Sequence, residues 1–353
     1  MSVPRHALRV PAPETTGLSV LRAGRRRRTG SRLLAAAVAV VVLFAVNVLL
    51  GSYTVTIPDF FRILGGTEIP GADFIVLENK LPRAVTGLLI GVCFGIAGAV
   101  FQTMLRNPLA SPDIIGISYG ASASAVASIV IFGAAGAAVS LSALAGALLI
   151  ATAIYLISRR GSVAGYRLIL VGIGFAAVLQ ALVNFLITRT DLRTAAQAVL
   201  WLSGSLNSST WDRVGVLLAA LVVLLPAVVL LSRNLRGLEL GDDAAAGLGL
   251  HVEASRLGLM TTAVALAAVA TAAAGPVAAV AFLSGPIARK LLDNRTSLTM
   301  AALVGSVIVL ASDFVAANLL GATSLPVGVV TGALGAPFLL WLLATANRSG
   351  QGG

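Results

Sequence analysis

The chain has 353 residues, 58% of them hydrophobic and only 11% charged, with a mean hydropathy of +0.96. So few charges cannot cover a soluble domain of that length, which leaves the bilayer as the main solvent. The net charge of +11 is concentrated at Arg25–Arg28 and in a subset of short loops, a pattern that orients a membrane protein and argues against nucleic acid as a partner.

Residues 1–32 are rich in Arg, Pro and Ser with no apolar period, and read as a flexible basic tail. The run "LLAAAVAVVVLFAVNVLLG" (33–51) is too long for a secretory signal core and lacks a small-x-small cleavage site, so it is expected to stay as a first membrane helix. Further spans are predicted at 82–104, 114–132, 136–158, 166–188, 213–233, 255–274, 277–292, 300–320 and 326–345, with 346–353 as a C-terminal tail. The fold class is therefore an all-α membrane protein, a bundle of about ten transmembrane helices over 33–345. With both termini in the cytoplasm, 19 of the 25 lysines and arginines fall on the cytoplasmic side, and the bias persists from loop to loop.

Two loops on the outer side are long, 52–81 and 189–212. Arg62, Arg189 and Arg193 lie in them, with Trp201 and Trp211 as interfacial anchors. In the second span Gly91 and Gly95 share one helix face with Gly87, and Gly98 follows, which allows a neighbouring helix to approach closely. The string "RNPLASPDIIGISYGA" (106–121) breaks the helix at Pro108 and Pro112, with Asn107, Ser111 and Asp113 able to cap freed backbone groups. Pro286 interrupts the short span 277–292. Asp313 is the one acid deep within a predicted span, where a lone helix would bear a cost of ~2.5–3.5 kcal/mol. Two roles are open for it, a carboxylate lining a passage or a helix–helix hydrogen bond.

Catalytic and metal chemistry find little support. Cys93 is the only cysteine, His6 and His251 are the only histidines, and neither Lys80 nor Lys290 belongs to a Gly-Lys-Ser/Thr phosphate loop. A membrane enzyme would need a nucleophile–base pair, and an ion-coupled transporter a relay that Asp313 alone does not supply.

Between two apolar runs lies "LGDDAAAGLGL" (240–250). Leu240, Ala244 and Leu248 fall at spacing four and form an apolar ridge. Asp242 and Asp243 suit the positive end of a helix, and Gly247 and Gly249 suit its end.

Taken together these strings carry a family resemblance. "LPRAVTGLLIGVCFGIAGAVFQTMLRNPLASPDIIGISYGAS" (81–122) resembles the signature region of membrane permeases of binding-protein-dependent ABC importers for ferric siderophores, haem and cobalamin. "DLRTAAQAVLWLSGSL" (191–206), "AVAFLSGPIARKLL" (279–292) and "LPVGVVTGALGAPFLLWLL" (325–343) are similar to the family in the same order, and 240–250 looks like its cytoplasmic coupling segment. The resemblance implies a dimeric permease, with itself or a paralogue, whose passage runs along the subunit interface. It also implies two ATPase subunits beneath, holding ATP and Mg, and a substrate-binding protein outside; this chain itself would bind no cofactor or metal. Segment 237–250, with Leu240, Gly241, Asp242, Asp243, Ala244, Leu248 and Gly249, would couple to the ATPase. Gly91, Gly95, Gly98, Asn107, Pro108, Pro286 and Asp313 would line the passage or pack helices, and Arg62, Arg189 and Arg193 would receive the binding protein. Many members have Pro-His where this chain has Pro286-Ile287, and an arginine where it has Ala317. The "FLSGPIARKL" variant is more similar to ferric siderophore permeases, especially catecholate types, than to the cobalamin type; cobalamin or haem is the alternative cargo.

Overall fold

The computed structural model describes residues 15–51, 53–67, 69–113, 116–158, 164–320 and 324–349. Among them there are helices and no strand: α1 (Thr15–Leu49), α2 (Ile57–Leu64), α3 (Ala72–Phe74), a π-helical turn (Ile75–Lys80), α4 (Leu81–Met104), α5 (Ile117–Phe132), α6 (Ala137–Ser158), α7 (Ala164–Arg189), α8 (Leu192–Leu202), α9 (Trp211–Leu238), α10 (Asp242–Gly247), α11 (Val252–Ala274), α12 (Val280–Leu291), α13 (Leu298–Asn318) and α14 (Val327–Ser349).

Each of the ten predicted spans contains a helix, although the helices are not equivalent. Among the described residues seven helical runs are long and apolar enough to cross a membrane, and Ile117–Phe132 and Val327–Leu342 are shorter apolar ones. The tenth expectation needs correction. Helix α12 has 12 residues, about 18 Å of rise against a hydrocarbon core of about 30 Å, so 277–292 does not form a spanning helix. Residues 275–279 enter the bundle as irregular backbone instead, with Gly275 and Ala279 at φ +74° and +66°. Such a segment is tolerated at membrane depth only where protein surrounds it. Here Ser205 N–H donates to Ala274 O at 2.8 Å, and Gly328 N–H donates to Gly204 O at 3.1 Å beside it.

Two further corrections concern supposed loops. The basic tail is helical from Thr15, so α1 starts well before the apolar run; residues 1–14 lie outside the described residues. The 52–81 loop holds α2, and from Ala72 the chain is helical without interruption to Met104. Thr56 explains the start of α2: its hydroxyl accepts from Asp59 N–H at 3.3 Å, with Pro58 in the first turn.

Helix α4 is the centre of the bundle, packed by α13, α11, α12 and α9. Its glycines explain why. A Cβ on Gly91 would lie 2.5 Å from Ser306 Cα; on Gly95 it would overlap Ala301 O, and on Gly98 Ala281 O. Gly91 and Gly95 thus admit the backbone of α13, and Gly98 that of α12. By contrast, α1 and α7 bury only 11% and 17% of their apolar windows within the chain, so their surfaces belong to lipid or to another subunit.

Candidate functional site

The end of the bundle that carries α10 holds the predicted coupling segment. Helix α9 runs on to Leu238, and Gly241 takes φ +114°, a conformation open to glycine, so that the chain reverses into α10. Ala245 is fully buried and anchors the short helix, while Leu250 packs over Gly237. The helix closes at Gly249, φ +82°. The expected ridge is present and faces outward: Leu240 and Leu248 are 66% and 67% exposed, and Ala244 between them is exposed too.

Asp242 does more than favour a helix terminus. Both its oxygens accept from Arg256 Nη2 of α11, at 3.1 and 3.0 Å, and Oδ1 lies 3.4 Å from Arg106 Nη2. The same Arg106 nitrogen donates to Leu238 O at 2.9 Å. One carboxylate therefore ties α10 to α11 and to the chain just beyond α4. Asp243 stays exposed beside it.

Beyond Arg106 the loop folds as its residue types suggest. Asn107 Oδ1 accepts from Leu109 N–H at 2.9 Å, with Pro108 between them. Gln102, one turn back on α4 and 2% exposed, has a role that the sequence reading missed. Pro286 has no N–H to offer Phe282 O within α12, and Gln102 Nε2 donates to that carbonyl at 2.9 Å. Its Oε1 accepts from Arg289 Nη2 at 3.3 Å.

A groove of about 610 Å³ opens between α5, α7 and the irregular 276–279 segment. Its polar wall comprises Asp113, Ser118, Tyr119, Ser122 and Gln180. The Ser118 hydroxyl donates to the Asp113 carboxylate, and Gln180 Nε2 donates to Asn184 Oδ1 at 3.0 Å. Exposed amides on a membrane helix need water or a partner, so this face is not a lipid face. Gly91, Gly95, Gly98 and Asp313 are absent from the groove lining.

Asp313 sits instead near the opposite end, 1% exposed, in a bidentate pair with Arg83: Nε and Nη2 each donate to one carboxylate oxygen at 2.8 Å. Position 317 is Ala317 and supplies no arginine to Asp313. The partner comes from α4, 230 residues away along the chain.

Arg62, Arg189 and Arg193 are all exposed. Arg62 lies on α2, 3.6 Å from Asp59. Arg189 ends α7, over the Phe185 ring, and Arg193 lies in the first turn of α8. Asp191 caps α8 by accepting from Arg193 N–H and Thr194 N–H at 3.0 Å, and hydrogen bonding from Thr194 holds its carboxyl below the ordinary range. Among the described residues no group of three His, Cys, Asp or Glu side chains could hold a metal ion.

A bundle of long apolar helices with a polar groove and an exposed ridge on a short helix is the architecture of a multi-pass membrane protein. The chain belongs to the FecCD transport family, whose model matches residues 39–345. It is 40% identical over 299 residues to the ferric enterobactin transport system permease protein FepG of Escherichia coli (strain K12), covering 84% of this chain and 91% of that one. Over 318 residues it is 35% identical to the iron(3+)-hydroxamate import system permease protein FhuG of Bacillus subtilis (strain 168), covering 87% and 95%. It is also 34% identical over 275 residues to the cobalamin import system permease protein BtuC of Halobacterium salinarum, covering 77% and 74%. A solved structure of a metal-chelate type ABC transporter in an inward-facing conformation shares the fold, with a TM-score of 0.77 at 24% identity over 89% of this chain and 98% of the other. Membership of this family makes the chain a transport permease that works in a complex with other ABC transporter subunits.

Proposed function

We propose that the chain imports a ferric siderophore into the cytoplasm, driven by ATP hydrolysed with Mg on two separate ATPase subunits. The observation that carries this reading is the apolar ridge of Leu240, Ala244 and Leu248. It is exposed on a helix too short to be stable alone, yet it is clamped to the bundle through Asp242. A rigidly held apolar ridge fits a cleft in a partner, and force on it would pass through Asp242 to Arg106 and Arg256, hence to α4 and α11. In this reading α10 and both termini are cytoplasmic, and a second permease, a copy or a paralogue, closes the groove beside α7. A substrate-loaded binding protein docks outside, where Arg62, Arg189 and Arg193 steer acidic groups on it. The cargo class rests on the similarity to permeases of ferric enterobactin and ferric hydroxamate systems.

Ala244→Lys and Leu248→Glu test the coupling role. Each is expected to leave membrane insertion intact and to lower cargo-stimulated ATPase activity of the assembled transporter by roughly tenfold or more, as for a central interface residue. Normal transport by both variants refutes it. For the cargo, a deletion strain should lose uptake of a ferric catecholate or hydroxamate; loss of cobalamin uptake alone overturns the siderophore assignment.

A further inference from the structure

The basic start of α1 has no place in that transport scheme. Arg25, Arg26, Arg27 and Arg28 are exposed, and the helix runs from them unbroken into the apolar stretch that begins at Leu33. At ~1.5 Å per residue Arg28 lies about 8 Å and Arg25 about 12 Å ahead of that stretch, at or just beyond headgroup depth and within side-chain reach of it.

Arg25, Arg28 and Arg32 are spaced by three and four residues and share one face of the helix. That face meets the turn between α12 and α13. Arg32 Nη1 donates to Leu291 O at 3.0 Å and pairs with Asp293 Oδ2 at 2.7 Å. Its hydrogen bond, with the positive charges of Arg32, Arg25 and Arg28, holds the Asp293 carboxyl below the ordinary range. Arg32 already engages that acid, and no ion pair among the described residues engages Arg25 or Arg28. Arg295 adds an exposed cation on the same turn.

We propose that Arg25 and Arg28, set against the α12–α13 turn, form a binding site for the phosphate group of anionic phospholipids. Guanidinium groups match a phosphate bidentately, and a helix continuous with a membrane-embedded stretch presents them at the depth where such phosphates lie. An acidic protein surface has the same charge, but nothing fixes its depth in this way. The site depends on neither cargo nor ATPase, so its test is separate from that of the transport reading.

The full-length chain is purified in mixed micelles of equimolar phosphatidylglycerol and phosphatidylcholine, and the retained lipids are counted by mass spectrometry. At about fivefold per cation, loss of both guanidinium groups that hold one phosphate should cut the retained glycerol-to-choline lipid ratio by up to ~25-fold, and by at least ~5-fold, in R25Q/R28Q. R26Q/R27Q removes the same charge from the other side of the helix, so it loses diffuse attraction alone and should cut the ratio at least ~3-fold less than R25Q/R28Q does. Equal loss in both variants means diffuse attraction and overturns the site, as does no loss in either. Unchanged lipid with loss of a co-purifying ATPase subunit in R25Q/R28Q assigns the face to protein and also overturns it.

Discussion

Replacing Arg83 by Met probes the most enclosed ion pair in the bundle. The substitution keeps most of the side-chain volume but leaves Asp313, 1% exposed, without either of its 2.8 Å hydrogen bonds. Removing one member of a buried pair costs about 3–5 kcal/mol, because the remaining charge stays desolvated. The expected destabilisation is therefore about 3–5 kcal/mol, read as a fall of roughly 4–7 °C in the thermal midpoint of the detergent-purified chain. The double variant Arg83→Met, Asp313→Leu removes both charges and should recover most of the loss, since apolar replacement of a whole buried pair is often neutral. A single variant as stable as the parent, or a double variant no better than the single, refutes the view that the pair locks α4 to α13.

Two further stability predictions concern α4. Gln102→Leu leaves Phe282 O without its donor and should cost about 1–3 kcal/mol. Adding Pro286→Ala restores a backbone N–H four residues along and should return part of it, measured by the same melts. Gly98→Ala drives a Cβ into the Ala281 backbone and should cost about 1–3 kcal/mol or more, whereas Gly30→Ala, with nothing within 4 Å, should be neutral or stabilising by about 0.5–1 kcal/mol.

Long-period features were readable in the sequence. Apolar runs gave the helices, and glycines at spacing four gave the close approach to α13, because both are local properties of one helix. The ridge of Leu240, Ala244 and Leu248 was legible for the same reason. What the sequence hid were pairings between distant residues. Nothing local marked Arg83 as the partner of Asp313, because the two lie 230 residues apart along the chain. Gln102 looked like a polar exception in an apolar run, although a proline at 286 announces a carbonyl in need of a donor. The basic segment read as a tail because its residues have no apolar period, and a helix that runs on into a membrane span needs none. The shortness of α12 was hidden because residues 277–292 are largely apolar in composition whether or not the backbone turns at Gly275–Ala279.

The exchange at Pro286 has a mechanical consequence. A helix whose backbone is bonded only to itself can slide along its neighbour and keep every hydrogen bond. Helix α12 cannot, because one of its carbonyls is satisfied by a side chain of α4. A shift by even one residue would strand that carbonyl and the buried Gln102 amide together. The two helices thus share a fixed register, and any movement that enters α4 at Arg106 must carry the broken helix, and the end of the groove that it forms, as one piece.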